Sequence, residues 1–97
     1  MPLELTARDR ARLKAKAHAL EPSVSVGNAG ATKAVIAEVD RALAKRELIK
    51  VKIQGDDRVL RKQLGDELGE ATAAAVVHRV GKVVILWRPK PEKEEVD

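Results

Sequence analysis

The chain has 97 residues, one domain by length and enough to bury a modest core. It has no Cys, Phe or Tyr and a single Trp, which excludes disulfides, thiolate metal sites and a sheet that stacks several bases on aromatic rings. Lys and Arg outnumber Asp and Glu by 19 to 15; the stretch Lys90 to Asp97 carries −2, leaving +6 on the rest, which favours a polyanionic partner.

Taken in chain order, the pattern predicts seven elements. A first helix is expected from Thr6 to about Leu20, with Thr6 and Asp9 spaced as a capping box and Leu13, Ala17 and Leu20 on one stripe. Arg8, Arg12 and Lys16 line one flank of that stripe, and Arg10 and Lys14 the other. Glu21-Pro22 is expected to stop the helix. Ser23 to Val26 alternates polar and apolar as a short strand does. Gly27-Asn28-Ala29-Gly30 follows as a loop. A second helix is expected from about Ala31 to Arg46, with Val35, Ile36, Val39 and Leu43 facing the core.

Leu48 to Ile53 reads as a strand, with Ile49, Val51 and Ile53 on the buried side and Lys50 and Lys52 on the other. Gly55-Asp56-Asp57 is a turn and helix cap. A third helix is expected to about Leu68, with Leu60, Leu64 and Leu68 inward, although Gly65 costs it roughly 1 kcal/mol relative to Ala. Ala75 to Val80 and Val83 to Trp87 form a hairpin about Gly81-Lys82. The apolar run Val83 to Leu86 suggests a strand buried on both faces. The order α-β-α-β-α-β-β implies an α/β fold with a mixed sheet of about four strands and helices packed on it. Residues 4–89 are expected to form the domain and 90–97 a disordered acidic tail. With no signal-peptide pattern, and no apolar run as long as a membrane span, the chain is expected to be soluble, cytoplasmic and off the membrane.

The strand, the Gly-x-x-Gly loop and the helix start can together bind a backbone. A helix N-terminus leaves N–H groups unpaired and carries partial positive charge, and two glycines let a phosphate approach closely. Gly27 and Gly30 would shape the loop, and Asn28 and Ala29 would offer N–H groups. Lys33, Arg8, Arg12, Lys16, Lys50 and Lys52 are the candidate charges. A plain strand-to-helix turn explains the four loop residues equally well, and a solvated face explains the cation rows. Arg58, Arg61 and Lys62 read as solvated beside Asp56, Asp57, Asp66 and Glu67. His18 reads as a capping or packing residue, His78 as structural or exposed, and Trp87 as a core anchor. No nucleophile elbow surrounds Ser23 or Ser25, and the two His make no metal pair, so no catalysis, metal or cofactor is expected.

Several blocks together resemble the bacterial YhbY family, the single-domain form of the CRM domain (chloroplast RNA splicing and ribosome maturation). They are Leu13…Ala17-His18 with Leu20 and Pro22, Gly27-x-x-Gly30, Ala42-Leu43…Glu47-Leu48-Ile49-Lys50-Val51-Lys52, and Gly81-Lys82-Val83-Val84-Ile85-Leu86-Trp87-Arg88-Pro89. The resemblance implies a fold similar to the C-terminal domain of a bacterial translation initiation factor, with a KH-like GxxG loop. It implies RNA binding without catalysis and association with precursors of the large (50S) ribosomal subunit; the expected partner is 23S rRNA or the precursor particle, and the expected state a monomer. Members often carry a basic residue inside the loop. Here Asn28-Ala29 stands there, which moves the expected charge to Lys33 and the first helix. The rival readings are a module that docks on a ribosomal protein or assembly factor, and a small basic DNA-binding protein.

Overall fold

The computed structural model describes residues 5–89. The expected tail at 90–97 lies outside the described residues. The chain order is α1 (Ala7–Ala17), β1 (Pro22–Val26), α2 (Lys33–Arg46), β2 (Leu48–Ile53), α3 (Arg58–Thr72), β3 (Ala75–Val80) and β4 (Val83–Trp87). These are the seven predicted elements in the predicted order.

Three helix boundaries differ from expectation, each for a local reason. The capping box forms: the Asp9 N–H donates to Thr6 Oγ1 at 3.0 Å and the Thr6 N–H to the Asp9 carboxylate at 3.2 Å. Those bonds, from the Thr6 backbone first and its side chain second, hold the Asp9 carboxyl below its ordinary range. At its other end α1 stops at Ala17 rather than Leu20, with His18 as C-cap. A turn then closes from the Leu20 N–H to the Ala17 carbonyl and returns Leu20 to the apolar cluster beneath the helix. α2 starts at Lys33, not Ala31, because Thr32 is the cap and accepts the Val35 N–H at 3.1 Å. α3 runs past Leu68 to Thr72, carrying Gly65 and Gly69 as buried helical residues.

The sheet order is β1-β2-β4-β3. β1 and β2 are parallel, and β4 is antiparallel to both its neighbours, so β1, β2 and β3 all run one way. β4 is central, and Val84, Ile85 and Leu86 are all buried, as the apolar run predicted. Helices cover both faces. α2 and α3 bury Val26, Val39, Ile49, Val51, Leu68 and Leu86 on one face. α1 buries Leu13, Ala17, Leu48, Val77 and Ile85 on the other, with Trp87 half-buried at the margin. Leu48 therefore belongs to the lysine side of β2, which is a core face here. Leu60 does not join the core: it is 51% exposed, and the inward stripe of α3 is Leu64, Gly65, Leu68, Gly69 and Thr72.

Arg88 closes the domain. Its Nη1 donates to Asp40 Oδ1 at 2.7 Å and to the Thr72 carbonyl at 2.8 Å, and its Nη2 donates to the Asp40 carbonyl at 3.1 Å. One guanidinium thus ties the middle of α2 to the end of α3. The residue that helps mark the family resemblance at the C-terminal block has a structural task.

Candidate nucleic-acid interface

The register divides the surface into two ends. Leu48 pairs with Trp87, and Trp87 with Ala75, at one end of the sheet. At the other, Val26 pairs with Ile53, and Val83 with Lys52 and Val80. The five-residue rise along β2 separates the ends by roughly 16 Å. Because β1, β2 and β3 run the same way, the segments after them gather at the second end. These are the loop Gly27–Gly30, the turn at 54–57 and the hairpin tip Gly81-Lys82. The N-termini of α2 and α3 open there too.

The loop is a tight turn. The Gly30 N–H donates to the Gly27 carbonyl at 3.1 Å, and the Thr32 N–H to the Gly30 carbonyl at 2.9 Å. Gly30 has φ +77°, a left-handed conformation that side chains disfavour, and a Cβ there would lie 3.4 Å from Leu64 Cδ2. Gly27 has open space where a Cβ would be. Asn28 and Ala29 are exposed, and among the described residues their N–H groups donate to nothing. The same holds for Lys33 and Ala34 in the first turn of α2, where the Thr32 side chain takes only the Val35 N–H. Four donors are therefore unpaired over two short exposed segments, at a helix start with no acid in its first turn.

The predicted cations do not all collect here. Lys33 is the first residue of α2, and its side chain is exposed beside the loop. Lys52 is exposed and pairs with Ser25, two residues before Gly27. Lys50 is tethered: its ammonium donates to the Leu20 carbonyl at 3.0 Å and pins the turn after α1 to β2. Arg12 and Lys16 line a depression of about 430 Å³ with Arg46, Leu48 and Trp87 at the opposite end of the sheet. Arg8 is exposed in the first turn of α1. Arg10, on the other flank, donates to the carbonyls of Val76 at 2.7 Å and Val77 at 3.1 Å. It fastens α1 to edge strand β3, where the pairing register shifts between Val76 and His78.

Sequence reasoning missed one cluster. Arg58, Arg61 and Lys62 of α3 meet Arg79 and Lys82 of the hairpin around an open cleft of about 320 Å³ at the loop end. The nearby acids in sequence led α3's cations to be read as solvated. In space, Arg58 and Arg61 have no acidic partner among the described residues. The only signal that could have found the cluster was the Gly55-Asp56-Asp57 cap followed by three cations in the first five residues of a helix, where cations oppose the helix dipole.

His78 sits in a shallow depression with Lys14 of α1, its C-cap His18, Lys50 of β2, Val80 and Ile85. Burial first and the Lys14 ammonium second lower its pKa from the ordinary 6.5. The folded state thus resists a proton that the unfolded chain accepts, so its stability is full above pH 6.5 and falls as the pH drops below that value. Thermal melts between pH 8 and pH 5 should show Tm decreasing below about 6.5, and His78→Gln should flatten that decrease. Parallel profiles for the two proteins would exclude His78 as the cause.

A family model described as the CRS1 / YhbY (CRM) domain matches residues 5–88. A Haemophilus influenzae protein named RNA-binding protein is 39% identical over 88 residues, covering 91% of this chain and 89% of the relative. A Pseudomonas aeruginosa protein, named a probable RNA-binding protein, is 38% identical over 93 residues, covering 94% of this chain and 89% of the relative. A Staphylococcus aureus protein solved in solution matches with a TM-score of 0.82 at 30% identity, over 97% of this chain and 98% of that one. With its mixed four-stranded sheet, its three helices and a family match over nearly all its length, the chain belongs to the CRS1/YhbY (CRM) domain family.

Proposed function

We propose that this domain binds structured ribosomal RNA, within precursors of the large ribosomal subunit, mainly through phosphates at the end of the sheet that carries Gly27–Gly30. The observation that carries this reading is the set of unpaired N–H groups on the exposed residues Asn28, Ala29, Lys33 and Ala34, flanked by the exposed Lys33 and Lys52 side chains. An uncharged loop of this kind positions a phosphate, and the surrounding cations supply the attraction. The names of the relatives support an RNA partner. With one Trp and no Phe or Tyr, base stacking has little to work with, so the backbone is the natural target.

Salt is the direct test. Affinity for a 23S rRNA fragment should fall linearly in log K against log salt, by roughly 0.7 to 0.9 per phosphate neutralised. A flat titration would sink the phosphate mechanism. Duplex DNA should compete poorly with the fragment, and nuclease treatment should release the protein from particles that sediment as large-subunit precursors. Retention after nuclease would favour docking on a ribosomal protein, and equal competition by DNA would favour a general nucleic-acid binder.

A further inference from the structure

We propose that the cleft between the start of α3 and the β3–β4 hairpin is a second, built site for a backbone phosphate, continuing the track of RNA that begins at the Gly27–Gly30 loop. This rests on the reading of the domain as RNA-binding, and it adds a specific pocket to it.

Five cations from two separate elements converge on the cleft: Arg58, Arg61, Lys62, Arg79 and Lys82. No acid lines it among the described residues. Two acids reach its cations from the rim. Asp66 bonds Arg79 and lies 3.5 Å from Lys62, and Asp56, fully exposed, lies 3.5 Å from Lys82. The cluster keeps a surplus of positive charge, and Arg58 and Arg61 are the unneutralised members.

Arg61 shows that the cleft is arranged rather than merely crowded. Its Nη1 donates to the Gly55 carbonyl at 2.7 Å, which fixes the guanidinium plane. Its Nε is buried and has no hydrogen-bond partner. A buried donor on a charged group is costly to leave unmade, and a swing of the side chain toward the cleft would give it an oxyanion as acceptor. The cluster also sits at the N-terminal end of a fifteen-residue helix, where the cap is Asp57 and the first turn holds no acid. The Asp57 carboxylate takes the Val59 and Leu60 N–H groups, so the pull on an anion comes from the side chains of the cleft. The volume of about 320 Å³ holds a phosphate group and several waters, at ~30 Å³ per water. The cleft opens at the same end of the sheet as the loop, and Gly30 lies against Leu64, one turn from Arg61 on α3.

The test has two arms on the full chain. In the first, inorganic phosphate is titrated into ¹⁵N-labelled protein. The Arg61 Nε–Hε signal and the amides of Arg58 and Lys82 should shift together and saturate. In the second, Arg58→Gln with Arg61→Gln should lower affinity for a 23S rRNA fragment at least tenfold. It should also reduce the salt slope by about 1.4 to 1.8, two contacts' worth. Arg41→Gln with Lys45→Gln, which removes the same charge from exposed positions of α2, should lower affinity much less. Should loss of the Arg61–Gly55 bond disturb the fold, Arg58→Gln with Lys82→Gln keeps that bond and should give the same result. Phosphate shifts spread evenly over the surface, or equal losses in the cleft and α2 variants, would overturn the site. If phosphate shifts the Arg61 signal while the wild-type chain binds no rRNA, the pocket stands and the RNA reading fails.

Discussion

Gly27→Asp should weaken binding to a 23S rRNA fragment about 10- to 100-fold and leave thermal stability nearly unchanged. Both halves follow from the loop. The position has open space where a side chain would go, and its backbone does not need a left-handed conformation. It is the first residue of the turn that the Gly30 N–H closes onto its carbonyl. Asp is favoured at that place, because its carboxylate can accept the N–H two residues on. The fold therefore tolerates the change. The bound state does not: the carboxylate would take the Ala29 N–H and stand where a phosphate would approach. Like charges brought together across an interface cost several kcal/mol, and 1.4 kcal/mol is tenfold. Gly27→Ala separates charge from size and should bind nearly as the wild type does. Gly30→Asp is a poorer probe, since φ +77° and Leu64 at 3.4 Å make any side chain there strained. Unchanged binding by Gly27→Asp, with Tm intact, would reduce the loop to a strand-to-helix turn.

What the sequence made legible was whatever its signal carried over a few residues. Thr6 and Asp9 announced a capping box and formed one. The alternation from Leu48 to Ile53, the hairpin at Gly81-Lys82 and the apolar run in β4 each named their strands. The errors at helix ends came from competition between adjacent signals. Thr32 caps α2 and moves its start from the expected Ala31 to Lys33, and Leu20 left its helix because the apolar cluster under α1 could hold it.

The candidate site was legible only where it was local. The loop, its helix start and Lys33 could be read from consecutive residues. The direction in which α1 crosses the sheet could not, because Arg10's bonds to the carbonyls of Val76 and Val77 join residues 66 and 67 positions apart. That crossing sends Arg12 and Lys16 to the end away from the loop. The bond that holds Lys50 was hidden for the same reason: its partner, the Leu20 carbonyl, is 30 residues away. The cationic cleft is the counterpart gain. Arg79 and Lys82 join α3's cations only through the hairpin, and no spacing in the sequence reports it.

Gly69→Val should destabilise the domain by about 3 kcal/mol, whereas Gly65→Ala should be neutral or stabilise it by up to about 1 kcal/mol. Both glycines lie on the sheet-facing stripe of α3, and both carry the same helix-propensity penalty. They differ in what a Cβ would meet. At Gly65 it would reach Val84 Cγ2 at 3.4 Å and Ile53 Cδ1 at 3.8 Å, near ordinary contact with side chains that can turn. The gain in propensity then decides the sign. At Gly69 a Cβ would lie 3.1 Å from the Ala74 carbonyl oxygen and 3.3 Å from Val76 Cγ2. The first of these is main chain and cannot swing aside, because the Ala74 N–H donates back to the Gly69 carbonyl at 2.8 Å and fixes the turn into β3. Valine's two further methyls would press on Val76 and Leu86, so α3 must lift from the sheet or β3 must shift. Either movement opens the core around Leu68 and Leu86, which are fully buried. Chemical denaturation of the two variants checks the contrast. Equal destabilisation would mean that α3 approaches the sheet no more closely at Gly69 than at Gly65.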